Sequence, residues 1–71
     1  MIADRLRLLR AERSLTQRTV ARGADIAERQ YQSYESGKNK PSYDILIALA
    51  DYFDVSLDYL AGRTDKQEVN R

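Results

Sequence analysis

The sequence predicts an all-α domain of five short helices, the second and third joined in a tight helix-turn-helix. Three observations predict it. Apolar residues recur at three- and four-residue spacing along most of the chain, and no segment alternates at period two. Hydroxyl residues that can cap a helix start stand before three of the segments, at Thr16, Ser42 and Ser56. Residues that tolerate or force a turn separate them: Asp25, Ser36-Gly37, Pro41, Asp54 and Gly62.

The first helix is expected over residues 1–13, with Ile2, Leu6, Leu9 and Arg13 on one stripe and Asp4 near its positive end. Arg5, Arg7 and Arg10 line its remainder, and Leu8 lies off the stripe. Ser14-Leu15 connects to a second helix capped by Thr16, whose apolar face is Val20, Ala21 and Ala24. Its capping box is incomplete, because Thr19 stands where Glu or Gln would close it. Gly23 in the last turn costs up to ~1 kcal/mol relative to alanine and marks either fraying or a shift of the turn. Asp25 is placed to turn the chain in a left-handed conformation, with Ile26 as a plug beneath the corner.

The third helix is expected from about residue 27 to 35, Tyr31 and Tyr34 inward and Glu28, Arg29, Gln32 and Ser33 outward. Asp25 with Glu28 offers an alternative capping box that would start it near Ile26. Ser36-Gly37 ends it, and Pro41 keeps the loop extended. Ser42 caps a fourth helix over residues 43–53, with Leu46, Leu49, Ala50 and Phe53 inward. Asp54 and Val55 form a second corner. Ser56 caps a short fifth helix whose Leu57 and Leu60 face the core, and Gly62 closes it. Residues 64–71 are polar apart from Val69 and read as a flexible tail behind a domain of residues 1–63.

At 71 residues the chain provides for one domain. Such a domain buries only about 60% of its unfolded surface, so each large apolar residue counts. There is no cysteine or histidine, which removes disulfides, thiol chemistry and the usual zinc ligand sets. No apolar run approaches the roughly 18–20 residues that span a membrane. With no Gly-rich phosphate loop and no chain left to build a pocket, an enzyme is not expected, nor a metal, cofactor or small-molecule effector. Net charge is only +1, but residues 1–40 hold nine Lys and Arg against five Asp and Glu, and residues 41–71 hold three against six. The basic half contains the helix-turn-helix, as an electrostatic footprint for phosphate requires.

L-T-Q at 15–17, Val20-Ala21, Y-E-S-G-K at 34–38, K-P-S at 40–42 and L-A-D-Y-F-D-V-S-L-D-Y-L at 49–60 follow one another in order. In that order and spacing the chain resembles the Cro/C1-type (Xre-like, lambda-repressor-like) helix-turn-helix family over roughly residues 2–63. The resemblance implies a compact five-helix domain that binds double-stranded operator DNA, usually as a two-fold dimer. The chain departs from the family pattern at Asp25 and Asp54, where glycine is usual, at Ala27, where Ser or Thr is usual, and at Tyr31, where an aliphatic residue is usual.

By matching position, Glu28, Arg29 and Ser33 resemble the family's base-reading residues, with Gln32 beside them. Arg29 has the fork that fits guanine O6 and N7, and Glu28 can accept from a cytosine amino group or instead pair with Arg29 or Arg18. Gln17 resembles the residue whose side chain and backbone N–H grip a phosphate. Lys38 and Lys40, with Ser36, are the next expected phosphate donors. Arg10 and Glu35 match an ion pair that ties the first helix to the end of the third, and Arg10 is also placed to touch a phosphate.

Ile45, Ala48 and Tyr52 form a second apolar line on the fourth helix, and with Leu57 and Tyr59 they are the expected homodimer surface. The function expected is a DNA-binding transcriptional repressor on a palindromic operator, located in the cytoplasm with the nucleoid. The alternative is an antitoxin or adaptor that uses the same fold to hold a protein.

Overall fold

A computed structural model describes residues 1–69. Its helices are α1 (Ile2–Glu12), α2 (Gln17–Gly23), α3 (Glu28–Glu35), α4 (Tyr43–Phe53) and α5 (Leu57–Leu60), and no strand occurs among the described residues. Hydroxyl caps begin three of them. Thr16 accepts from the Thr19 N–H at 3.1 Å, Ser42 from that of Ile45 at 3.3 Å, and Ser56 from that of Tyr59 at 2.9 Å. At the third position of its helix Thr19 completes a hydroxyl pair with Thr16, Oγ1 to Oγ1, at 2.9 Å. The alternative start near Ile26 does not occur; α3 begins after Ala27, which is extended and gives no side-chain cap.

Four helices end in one device, the Schellman motif. A residue one or two positions past the end turns left-handed, and the next N–H reaches back five residues to an orphaned carbonyl. Ser14 (φ 53°), Asp25 (φ 60°), Asp54 (φ 55°) and Gly62 (φ 83°) make the turn. Leu15, Ile26, Val55 and Arg63 then donate to the carbonyls of Arg10, Ala21, Ala50 and Asp58 at 3.0, 2.9, 3.0 and 2.8 Å. Asp25 and Asp54 turn as their sequence suggests; the left-handed Ser14 carries no such signal. Leu15, Ile26 and Val55 each pack against the core just beyond the helix they close.

The core joins Leu6 and Leu9 of α1, Val20 and Ala21 of α2, Tyr31 and Tyr34 of α3, Leu49, Ala50 and Phe53 of α4, and Tyr59 and Leu60 of α5. Within it α1 packs on α3 and α5, α2 on α3 and α4, and α4 on α5. Arg13 lies outside the core, its guanidinium 5.3 Å from the Phe53 ring centre, so its stem and charge cover an aromatic edge.

One expectation is corrected here. Tyr59, placed by the sequence on a dimer surface, is 2% exposed, and the Arg5 guanidinium lies 4.2 Å from its ring centre. A helix of only four residues cannot bury both Leu57 and Tyr59 beside Leu60, and docking against α1 selects Tyr59, leaving Leu57 half-buried. Residues 64–69 make contacts with the helical body. Asp65 pairs with Arg5 at 2.8 Å, the Ser56 N–H donates to the Gln67 carbonyl at 2.8 Å, and the Gln67 amide reaches Glu12 and Tyr59, each at 3.3 Å. The rest of the expected tail, residues 70 and 71, lies outside the described residues. Among the described residues no helix is long and apolar enough to cross a membrane.

Gly23 is neither frayed nor a displaced turn; it is the last residue of α2, with the Tyr52 ring packed against it. A Cβ there would stand 2.0 Å from Tyr52 Cε1 and 2.3 Å from Cδ1. Gly23→Ala therefore loses roughly 1 kcal/mol in urea unfolding, the ~1–3 kcal/mol of overpacking exceeding the ~1 kcal/mol of helix propensity gained. In a Tyr52→Ala background the same substitution becomes stabilising; a loss in both backgrounds would show that the ring is not what excludes the methyl group.

Candidate nucleic-acid interface

A polar residue at the end of a core-facing helix must be satisfied inside the protein, and Glu35 is the case that shapes this one. It closes α3 on the same face as Tyr31 and is 3% exposed. Its Oε2 accepts from Arg10 Nε at 2.6 Å and its Oε1 from Arg10 Nη2 at 3.1 Å, a bidentate pair with α1. The same Oε1 accepts from Gln17 Nε2 of α2 at 3.2 Å. Arg10 also donates through Nη1 to the Leu15 carbonyl at 3.1 Å, so each of its three nitrogens makes a bond within the protein. One carboxylate thereby joins α1, α2 and α3.

Arg7, one turn before Arg10, donates to the Glu35 backbone carbonyl and to Asp4. It satisfies a carbonyl that the end of α3 leaves without a helical partner. The sequence reading misses this role; the signal is the three-residue spacing of Arg7 and Arg10 along α1. The Tyr31 hydroxyl is buried beside the pair without a hydrogen bond. Burial first, then the neighbouring Glu35 carboxylate, raises the phenol well above its ordinary value. Burial alone would raise the Glu35 carboxyl too, but the Arg10 and Gln17 hydrogen bonds and the adjacent Tyr31 outweigh it and hold the group below the usual 4.5.

The opposite face of α3 is open. Glu28, Arg29 and Gln32 are exposed and Ser33 is half-buried. Glu28 pairs with neither arginine; its Oε2 accepts from Gln32 Nε2 one turn later at 3.3 Å. Ser33 donates to the Gln30 carbonyl at 2.6 Å, which leaves its oxygen as an acceptor. Gln30 in turn donates to the Tyr34 hydroxyl at 2.8 Å. Arg29 has no hydrogen bond or ion pair among the described residues. Past the helix, Ser36 donates to the Ser33 carbonyl at 3.1 Å and accepts from the Lys38 N–H at 3.4 Å, and Lys38 and Lys40 are exposed. Ile45, Ala48, Tyr52 and Leu57 are half-buried at the edge of the core.

A helix-turn-helix family model (HTH_3) matches residues 6–60, spanning all of this geometry. The chain belongs to the Cro/C1-type helix-turn-helix family. The HTH-type transcriptional regulator YobD of Bacillus subtilis is 43% identical over 65 residues, which are 92% of this chain and 58% of that protein. AnsR of the same organism is 38% identical over 69 residues, 97% of this chain and 60% of its own. The chain thus spans about three-fifths of the length of these curated relatives. A transcriptional regulator from Listeria innocua, solved by crystallography, superposes with a TM-score of 0.82 at 35% identity over 100% of this chain and 64% of that one. The DNA-binding domain of the P22 c2 repressor matches with a TM-score of 0.85 over 99% of this chain and 91% of that one, a likeness of fold at 21% identity.

In this Cro/C1-type domain the Glu35 pair makes stability depend on acid. The folded carboxyl lies below its ordinary value, so the contribution is complete above the unfolded pKa of about 4.5 and is lost as pH falls through the folded value. Glu35→Gln lowers unfolding free energy at pH 7 by about 2–3 kcal/mol, below the full cost of breaking a buried pair because Arg10 keeps some water contact. The gap between mutant and parent narrows as the parent carboxyl protonates. Denaturant titrations at several pH values check it; a gap independent of pH would mean that Glu35 is not held as a carboxylate.

Proposed function

We propose that the chain binds double-stranded DNA as a sequence-specific transcriptional repressor, with α3 in the major groove. The observation that carries this reading is Arg29, an exposed guanidinium without a partner among the described residues, in the first turn of a helix held from behind through Glu35. Arg29 reads guanine through O6 and N7, Glu28 accepts from a cytosine amino group, and Gln32 and Ser33 complete the reading face. Lys38 and Lys40 in the following loop, with Ser36 and Gln17, hold phosphates on either side. Arg10 spends one N–H of each nitrogen inside the protein, and the second N–H on Nη1 and on Nη2 remains for a phosphate. The RstR repressors of Vibrio cholerae CTXphi phages, 31% and 35% identical to this chain, support repression over activation.

Ile45, Ala48, Tyr52 and Leu57 serve a second copy of the chain in a two-fold dimer. Tyr59 supports α5 from within. Two-fold symmetry sets the reading helices about one DNA turn apart, ~34–36 Å, on a palindromic operator. The protein then acts on the nucleoid in the cytoplasm.

Selection from a randomised DNA pool tests the reading: inverted half-sites containing G·C pairs are expected, centred about one helical turn apart. Arg29→Ala relaxes preference at one base position by about 1–3 kcal/mol, whereas Lys38→Ala weakens all sequences alike and reduces the salt slope by about one. Unchanged discrimination in Arg29→Ala would dismiss α3's outer face as the reader. Absence of retardation with random duplex DNA at low salt would favour the antitoxin or adaptor role instead.

A further inference from the structure

Gln30 lies in the first turn of α3, outside the reading face expected from the sequence. At about 100° per residue, Arg29 and Ser33 stand nearest the middle of the outward face, opposite Tyr31. Gln32 flanks that line on one side, and Gln30 flanks it as closely on the other. Gln30 is the third residue of the helix, nearer than Gln32 to the N-terminal end from which side chains reach base edges. It is exposed, and its flank is the one beside the loop. Tyr34, one turn further along, lines a shallow groove with Gly37, Asn39, Lys40 and Pro41.

The Gln30 amide is anchored from within. Its Nε2 donates to the Tyr34 hydroxyl at 2.8 Å, and Tyr34 is 5% exposed. Gln32 is tied only to the exposed Glu28 carboxylate. The Tyr34 bond uses one of two amide N–H groups, so the second N–H and Oε1 have no partner among the described residues. One donor beside one acceptor suits few surfaces of DNA. A phosphate offers acceptors alone, and the major-groove edge of guanine offers two acceptors, which suit Arg29. Adenine offers an N6–H donor beside an N7 acceptor, the complement of the part of the amide that remains. Because the tether already holds the side chain, less rotamer freedom is lost on docking.

Resting on the reading of α3 as the helix in the major groove, we propose that Gln30 is a further specificity-determining residue, and that it reads adenine. One N–H stays on the Tyr34 hydroxyl, the other donates to adenine N7, and Oε1 accepts from N6. Tyr34 acts through Gln30 as a positioning residue. The adenine lies on the flank of the groove gripped by the Lys38–Lys40 loop, at a base pair other than the guanine of Arg29.

The test measures preference as a ratio of affinities for paired duplexes, which a change in the folded fraction does not alter. Sites selected from a randomised pool by the parent are expected to carry an A·T pair that Arg29→Ala does not relax. Gln30→Met, which keeps length but removes the amide, is expected to lower preference at that pair by roughly 5- to 100-fold and to leave the guanine preference in place. Gln30→Glu, which keeps acceptors but has no N–H, is expected to move the preference from adenine to cytosine. Tyr34→Phe keeps the reading amide and loses its tether; a drop of about two- to fivefold is expected, and none further in the Gln30→Met background. The proposal is overturned if Gln30→Met keeps every parental preference, which would leave Gln30 as a partner of Tyr34 alone. It is also overturned if Gln30→Met weakens all sequences alike, as a phosphate contact would. Full parental preference in Tyr34→Phe overturns it too, since the tether would then do nothing. If Arg29→Ala relaxes its guanine while Gln30→Met changes nothing, only this inference fails; if neither variant alters any preference, the reading of α3 fails with it.

Discussion

Burying a carboxylate at the junction of three helices costs several kcal/mol of hydration, and only a specific set of donors returns it. Glu35 therefore dictates where its neighbours stand. Arg10 has to arrive from α1 with its fork in the plane of the carboxylate, and Gln17 has to open α2 within reach of the same oxygen. These demands fix α1 and α2 against α3 more narrowly than apolar packing could, because Leu, Val and Ala side chains tolerate small slides. Arg7 adds a second tie at the same helix end through the Glu35 backbone carbonyl. The outer face of α3 inherits its orientation from what lies behind it.

The remaining economy is in the helix ends. In a chain of 71 residues, helices of four to eleven residues leave a large share of backbone groups outside regular hydrogen bonding. Hydroxyl caps and repeated Schellman closures satisfy many of them locally, and the residue that follows the left-handed turn carries the chain back to the core. Using Ser14, Asp25 and Asp54 in place of glycine costs about 1 kcal/mol or more each in backbone strain, but it leaves the unfolded chain with less freedom to lose. Short loops then leave few ways to misplace α3 relative to α2.

How much of this is legible in the sequence depends on whether the cause is local. Caps at Thr16, Ser42 and Ser56 and turns at Asp25 and Asp54 lie within a few residues of their effects, and the helix boundaries follow. The inner faces of α2, α3 and α4 follow from spacing. What escapes is contact between residues far apart in the chain. Nothing near Gly23 announces the Tyr52 ring, and nothing near Tyr59 announces Arg5 above it. Residues 64–69 look like a tail because their composition is polar, yet their partners, Arg5, Glu12 and Ser56, lie on other elements. The site divides in the same way. Arg10 with Glu35 is visible through a family pattern, but the Gln17 bond to that carboxylate and the orphaned Tyr31 hydroxyl require coordinates.

The internal bonds of the outer polar residues bear on what each could contribute to recognition. Gln17, Gln32, Ser33 and Ser36 all have partners within the protein before DNA arrives. A neutral group that trades one hydrogen bond for another gains little net affinity, yet facing a base that offers nothing in return it loses the bond outright. Such groups discriminate more than they attract. Arg29, Lys38 and Lys40 give up no ion pair among the described residues, so their charge acts at long range and in a salt-dependent manner. On the proposed reading, affinity and specificity come from different residue types on one surface. Arg29 belongs to both, because its charge draws phosphate from a distance while its fork discriminates guanine at contact.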